Sequence, residues 1–493
     1  MRKFNILLLV IILVLAQIFM SACFGSGSQS SSSSGGSLSG ADSSMNGDSS
    51  DSSIPHADSS IEKPDDPDDP VTDYSKLSSV AFVKEMGVGW NLGNTFENNL
   101  VGYPESDYAN SIVKELGFKN REMFCEVRNH QDIYRGAVTQ QTVDTVYDKG
   151  FRTMRMPVSW SNHMAADGTI NADWMNRIKE VVDYVFAKGD MFVILNIMDT
   201  PNIGAYYLDD AHYAKTKKLV TDVWTQVSKA FCDYDERLVF ENLNEPLHSK
   251  LGWSMSPTAN TSEYKECIKN LNEYNQLYVD IVRGQGSVNN RKRFLSACGY
   301  GNIGYMTYSP EINAVAKFEM PDDEAIDRLL MNIHAYSPNG FSFGTDNVWD
   351  ESKDDPNSGV KAMLNAFGKA YTENGIGVLI TEWGSVYKSD RAHESYRKKH
   401  ATYFVENATK NGCCTVVWDN GTRSSNWSTE YFGLLNRHKA SGLYDNMTNL
   451  SGVSYDNVSL WFSEGVIEAI FTGYFNGFSA APDFVSVVAC RPE

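Results

Sequence analysis

Short apolar runs recur along the chain at 86–91, 151–157, 191–197, 238–243, 293–297, 329–333, 377–380 and 413–418. Between them lie longer segments whose apolar residues return every three or four positions, at 173–188, 217–232, 262–283, 360–374 and 393–411. In the second of these, Leu219, Val223, Trp224, Val227 and Phe231 share one helical face. Short runs alternating with such helices predict parallel strands joined by helical crossovers. Eight strands with connections of this size predict an α/β fold, a (β/α)8 TIM barrel in a single catalytic domain. A doubly wound sheet shares the alternation and stays open on pattern alone. The segment 461–474 predicts a last helix closing the ring, and 475–493 is too short for a further domain.

Two of the runs stop abruptly at a carboxylate. Leu238-Val239-Phe240-Glu241-Asn242-Leu243 gives way to Asn244-Glu245-Pro246. Proline cannot donate to a sheet ladder, so the strand ends there, with Asn244 and Glu245 at its carboxyl end. Gly377-Val378-Leu379-Ile380-Thr381 likewise gives way to Glu382-Trp383-Gly384. Barrel enzymes keep their chemistry at the carboxyl ends of their strands. Two glutamates so placed point to a paired-carboxylate reaction, of which glycoside hydrolysis is the commonest.

Composition changes the picture at the edges of the chain. The 493 residues carry a net charge of −19, which argues against nucleic acid and against an anionic membrane surface as partners. Much of that charge lies in 41–73, where Lys63 is the only lysine or arginine. Residues 24–74 are rich in Ser, Gly, Asp and Pro, a composition too polar to bury a core, and are expected to be a disordered tether. Ahead of it, Arg2 and Lys3 precede an apolar run over 6–20 and the small residues Ser21 and Ala22, the order of a secretory signal. Met20-Ser21-Ala22-Cys23 resembles a bacterial lipobox. Residues 1–23 are therefore expected to be a lipoprotein signal, with Cys23 lipidated and the protein held on the outer face of a bacterial membrane, or secreted. The catalytic domain would span 75–493. The other cysteines, Cys125, Cys232, Cys267, Cys298, Cys413, Cys414 and Cys490, show no metal spacing and read mostly as buried small hydrophobes. Cys413 and Cys414 would point to opposite faces of a strand.

The motifs Gly89-Trp90-Asn91-Leu92-Gly93-Asn94-Thr95, Arg155-Met156-Pro157-Val158-Ser159-Trp160, Asn244-Glu245-Pro246, His334-Ala335-Tyr336, Glu382-Trp383-Gly384 and Trp418-Asp419-Asn420-Gly421 follow in that order. Together they make the chain from about Val80 to Tyr474 resemble glycoside hydrolase family 5, most closely its endo-β-1,4-glucanase and xyloglucanase branch. The resemblance implies a retaining mechanism, with Glu245 as acid/base after the fourth strand and Glu382 as nucleophile after the seventh. It implies that Arg155 and Tyr336 support Glu382, that His334 sits near the acid/base, and that Asn244 contacts the sugar 2-hydroxyl. Trp418 would lie beneath the sugar before the cut. Asn94, Glu97, Trp383 and Asn420 would complete the substrate contacts, and Trp90, Trp160, Trp253 and Trp427 are further aromatics able to stack on sugars.

One position departs from the pattern. The third strand of the family normally runs into a pair of histidines; here Asn196-Ile197 runs into Met198-Asp199. Methionine cannot donate a hydrogen bond, so a contact is lost unless Asp199 or His212 fills the space. The expected function is endo-hydrolysis of a β-1,4-glucan, whether cellulose-like, mixed-linkage or xyloglucan. A β-mannanase and a surface barrel that holds glycan without cutting it stay open. No metal and no cofactor is expected, and the chain is expected to act as a monomer.

Overall fold

A computed structural model describes residues 73–97, 137–199, 204–388, 391–422, 430–442 and 459–480. Cys23, Cys125, Trp427, Cys490 and nearly all of the expected tether lie outside these residues. The apolar runs form eight parallel strands: β1 (Val88–Asn91), β2 (Thr153–Met156), β3 (Phe192–Ile197), β4 (Leu238–Leu243), β5 (Leu295–Ile303), β6 (Leu329–His334), β7 (Gly377–Trp383) and β8 (Cys413–Val417). They close in chain order, with β8 pairing back onto β1, into a (β/α)8 barrel. Helix α1 (Ser79–Glu85) precedes β1. Helices α2 (Gln140–Asp148), α3 (Ala172–Phe186), α4 (Tyr213–Ala230), α5 (Thr261–Gly284), α6 (Val360–Ala370), α7 (Arg391–Lys410) and α8 (Glu464–Ala480) form the outer layer. Between β5 and β6 the helical part shrinks to two short turns, Tyr305–Tyr308 and Pro310–Asn313. The last helix starts at Glu464 and runs past Tyr474 to Ala480, so the first residues of the expected tail are helical.

Side-chain alternation sorts each strand between two layers. On β3, Val193, Leu195 and Ile197 join the large core under the helices, while Phe192 and Ile194 face into the barrel. On β8, Cys413 joins the outer core and Cys414 the inner one, the opposite faces expected. The barrel is plugged from its amino-terminal end by α1. Phe82 stacks on Phe294 at 3.7 Å and meets Phe192 edge-on at 5.4 Å. Val83 and Met86 fill in beside Val239, Leu330, Leu379 and Val416. Met86 caps this helix and Gly87 turns with φ +60°, so β1 begins at Val88 and not at the start of its apolar run.

Above the plug the interior turns polar. Asn91, Arg155, Asn196, Glu241, Asn332 and Thr381 are all fully buried. Burying them is tolerable because they pair with one another. Asn91 Nδ2 donates to the Thr381 carbonyl at 2.8 Å, and Asn196 Nδ2 donates to Glu241 at 2.9 Å. Strands β5 and β7 continue beyond their expected ends at 297 and 380, each through a register shift. Such bulges re-aim side chains at the rim of a sheet. The shift on β7 brings Glu382 level with His334 of β6.

Candidate active site

Arg155 of β2 is the hub at the carboxyl end of the barrel. Its guanidinium grips Glu241 twice, with Nε at 2.9 Å and Nη2 at 2.6 Å. Nη1 donates to Glu382 at 2.8 Å and to Asn91 at 3.0 Å, and Nη2 reaches Asn244 Oδ1 at 2.7 Å. Burial works against the arginine's charge, but Glu241 and Glu382 outweigh it and hold its proton more tightly than usual. Burial likewise opposes the charge of Glu241, and Arg155 together with Asn196 brings its pKa below the ordinary value. Glu241 was read as part of an apolar strand and its partnership with Arg155 was missed. A carboxylate inside an apolar run was itself the available signal, since a buried charge demands a partner.

The two strand-end glutamates lie together but in different surroundings. Glu382 accepts from Arg155 through Oε1 and from the Tyr336 hydroxyl through Oε2 at 2.9 Å. Tyr336 is propped by Phe343 and Phe432, with ring centroids at 4.4 and 5.6 Å. Glu245 receives no cation directly. Its Oε1 lies 2.8 Å from His334 Nδ1, which is also 3.6 Å from Glu382 Oε2. One oxygen of each glutamate and a nitrogen of His334 all fall within 4.8 Å of one another. Such a trio could in principle hold a cation, but Arg155 already supplies the positive charge beside Glu382.

Burial raises the pKa of both glutamates. On Glu245 it prevails over the pull of Arg155 and, helped by the Glu241 charge, lifts the carboxyl to about 7. On Glu382 burial is opposed by His334 and Arg155. His334 is itself pushed down to about 4, first by burial, so at neutral pH it is uncharged and Arg155 is the counter-charge that matters. Two carboxyls this close resist ionising together, and Glu382 is bonded to Arg155 and Tyr336 while Glu245 has neither. Glu245 keeps 26% of its side chain exposed, an opening through which an oxygen can reach its proton. Asn244 Nδ2 is buried with no partner among the described residues, and so is a donor still to be used.

The outer positions divide. Trp418 directly follows β8 in a cluster with Val386 and Phe432, against which Met198, Tyr336 and Phe343 pack. Gly93 lets it lie close, since a Cβ there would stand 2.7 Å from the indole. Trp383 does not join this group. Its ring is 1% exposed and stacks on Phe404 of α7 at 4.6 Å, leaving no face for a sugar. Asn420 is also turned to structure, donating to the Glu430 carbonyl at 2.8 Å and accepting from Thr422 N–H at 3.1 Å. The Glu97 carboxylate accepts from the backbone N–H groups of Asn94 and Thr95 and shapes the loop after β1. Trp90 and Trp160 are fully buried, bonded to Asp419 and to the Asn196 carbonyl, so neither offers a stacking face. Trp253 is 41% exposed.

Neither candidate replacement for the missing histidine takes its place. Asp199 accepts from Ser159 Oγ at 2.6 Å and from the backbone of Trp160 and Ser161, which ties it to the loop after β2. His212 pairs with Asp209 at 2.5 Å. Met198 therefore presents a thioether to the cluster of Val386, Trp418 and Phe432.

Comparison with known proteins bears on the family and the fold. Residues 114–424 match the family described as cellulase (glycosyl hydrolase family 5). An endoglucanase A from Clostridium longisporum is 33% identical over 390 residues, covering 78% of this chain and 67% of that protein. A glycoside hydrolase 5 lichenase from Caldicellulosiruptor sp. F32, solved as a mutant with cellotetraose, superposes with a TM-score of 0.66 at 29% identity, covering 81% of this chain and 96% of the other. A family 5 xyloglucanase from Paenibacillus pabuli gives 0.61 at 26% identity, covering 80% and 99%.

Proposed function

The chain belongs to glycoside hydrolase family 5, and from that premise we propose that it cuts internal β-1,4 linkages of glucans by a two-step retaining mechanism. The observation that carries this reading is the unequal treatment of two close carboxyls, one bonded to Arg155 and Tyr336 and the other with no cation of its own and a pKa lifted to about 7. Oxygens within 4.8 Å favour retention, since inversion needs roughly 6.5–9.5 Å to seat a water between the carboxyls.

In the first step a Glu382 oxygen attacks the anomeric carbon as the glycosidic C–O bond breaks. The Glu245 proton passes to the departing oxygen, leaving a glycosyl ester on Glu382. In the second step Glu245, now a carboxylate, takes a proton from water, whose oxygen displaces Glu382 from the anomeric carbon. The free Nδ2 of Asn244 would donate to the sugar 2-hydroxyl, a contact that strengthens as positive charge develops. Trp418 would support the sugar ring from below. The named relatives act on glucans, which favours glucan over mannan. A panel of cellulose-like, mixed-linkage and xyloglucan substrates, with mannan as control, identifies the polymer. Proton NMR of the first product reads the stereochemistry, and initial release of the inverted anomer overturns the mechanism.

The chain is further proposed to act outside the cell, tethered through lipid on Cys23. A Cys23→Ala protein that still partitions with membranes removes that part. A second reading, a barrel that holds glycan without cutting it, draws on Met198, for which neither Asp199 nor His212 substitutes. Retardation on glucan affinity gels with no reducing sugar released would favour it.

A further inference from the structure

Glu245 is held in an unusual backbone conformation. Its φ is +45°, in the left-handed region that side-chain-bearing residues seldom occupy. Across the cleft rim, Asn302 of β5 has φ +55°. The two are joined, since the Glu245 N–H donates to Asn302 Oδ1 at 2.6 Å. A second stitch runs alongside, from Gly301 N–H to the Pro246 carbonyl at 2.9 Å. Both bonds are made within the stretch of β5, between Cys298 and Ile303, where its register against β6 shifts. Gly301 must lack a side chain there, because a Cβ would stand 2.9 Å from the Trp253 ring. On the other flank, the Tyr206 hydroxyl donates to the Asn244 carbonyl, fixing the peptide just before Glu245.

We propose that Asn302 is a positioning residue for the acid/base: its side-chain oxygen holds the Glu245 backbone in the left-handed conformation that aims the carboxyl at the glycosidic oxygen. Asn302 is fully buried, and its side-chain oxygen is spent on the Glu245 N–H, so its proposed effect runs through Glu245. Asparagine suits the task because it tolerates positive φ and carries a short acceptor. A displacement of about 1 Å in a catalytic group costs roughly a hundredfold in rate. The loss should fall on proton delivery alone, because the Arg155–Glu382–Tyr336 contacts lie on other strands.

This inference rests on the acid/base role of Glu245, and the test separates the two. Asn302→Gly keeps the positive φ accessible and removes the acceptor. With β-glucan, whose leaving oxygen needs a proton, kcat/KM should fall by about a hundredfold. With dinitrophenyl β-cellobioside, whose leaving group departs unprotonated, kcat/KM should stay within about threefold of the unaltered protein. Asn302→Asp keeps an acceptor and adds a negative charge near Glu245. It should retain glucan turnover at acidic pH and move the alkaline limb of the pH profile upward. Equal losses on both substrates, or no loss on glucan, overturn the positioning role. Failure of the unaltered protein to cleave either substrate overturns the acid/base reading instead.

Discussion

At the base of the barrel Phe82, Phe192 and Phe294 meet ring to ring, whereas near its mouth Arg155, Asn196 and Glu241 meet as hydrogen-bonded polar groups. The change takes one alternation of each strand: Val239 then Glu241, Leu330 then Asn332, Leu379 then Thr381. The lower layer gains from burial that has no direction, at about 25 cal/mol per Å² of apolar surface. The upper layer loses hydration and recovers it only if every partner is in place. Its return is geometry. One guanidinium faces Glu241, Glu382 and, further off, Glu245, and it can fully answer only the first two. Burial lifts the pKa of the third carboxyl to about 7, and the more distant Arg155 does not bring it back.

If the two layers are separable, substitutions at the mouth should remove activity and leave the fold, and substitutions at the base should do the reverse. The largest effect is expected from Glu382→Ala, a loss in glucan kcat of order 10⁴-fold or more with a nearly unchanged melting temperature. Substantial residual turnover would break the comparison. Glu245→Ala should lose about 10²–10⁴-fold, be partly rescued by azide on activated substrates, and lack the alkaline limb of the native profile. In the unaltered protein that limb should fall as pH rises through about 7, because Glu245 there loses the proton it must deliver. Phe82→Ala should leave kcat per folded molecule within about twofold, while lowering stability by about 3–5 kcal/mol in a denaturant titration. Arg155→Met crosses the divide, since it leaves Glu241 buried without its cation and should abolish activity and cost about 3–5 kcal/mol together. The smallest effect is expected at Met198: His in its place should raise glucan kcat/KM by up to about tenfold, equivalent to one recovered hydrogen bond of about 1.4 kcal/mol. An unchanged value would mean that the thioether wall needs no donor.

The strands and the two strand-end glutamates were legible because apolar runs and a terminal proline encode where strands stop, whereas closure of the ring, which a doubly wound sheet matches in pattern, came with the family motifs. Side-chain direction was the weaker part. Trp383 follows Glu382 in one motif, and motif proximity suggested a shared site. Strand alternation predicts the opposite, and the ring does point out to Phe404. Asn420, a neighbour of Trp418 in sequence, bonds within its own loop instead. Glu241 could have been found from its burial in an apolar run. Asn302 could not, because only the bulge in β5 brings it to Glu245, and a register shift leaves no periodic trace.

The α1 plug fixes how the barrel can be handled. A short turn just before it, Tyr74–Lys76, packs Tyr74 against Phe82 and Phe192 at the pole opposite the glutamates. Anything joined ahead of Tyr74, whether a bead, a scaffold or a second enzyme, is fastened at the closed pole. A barrel immobilised by that end would present its open mouth outward, toward an insoluble polymer that cannot diffuse to it.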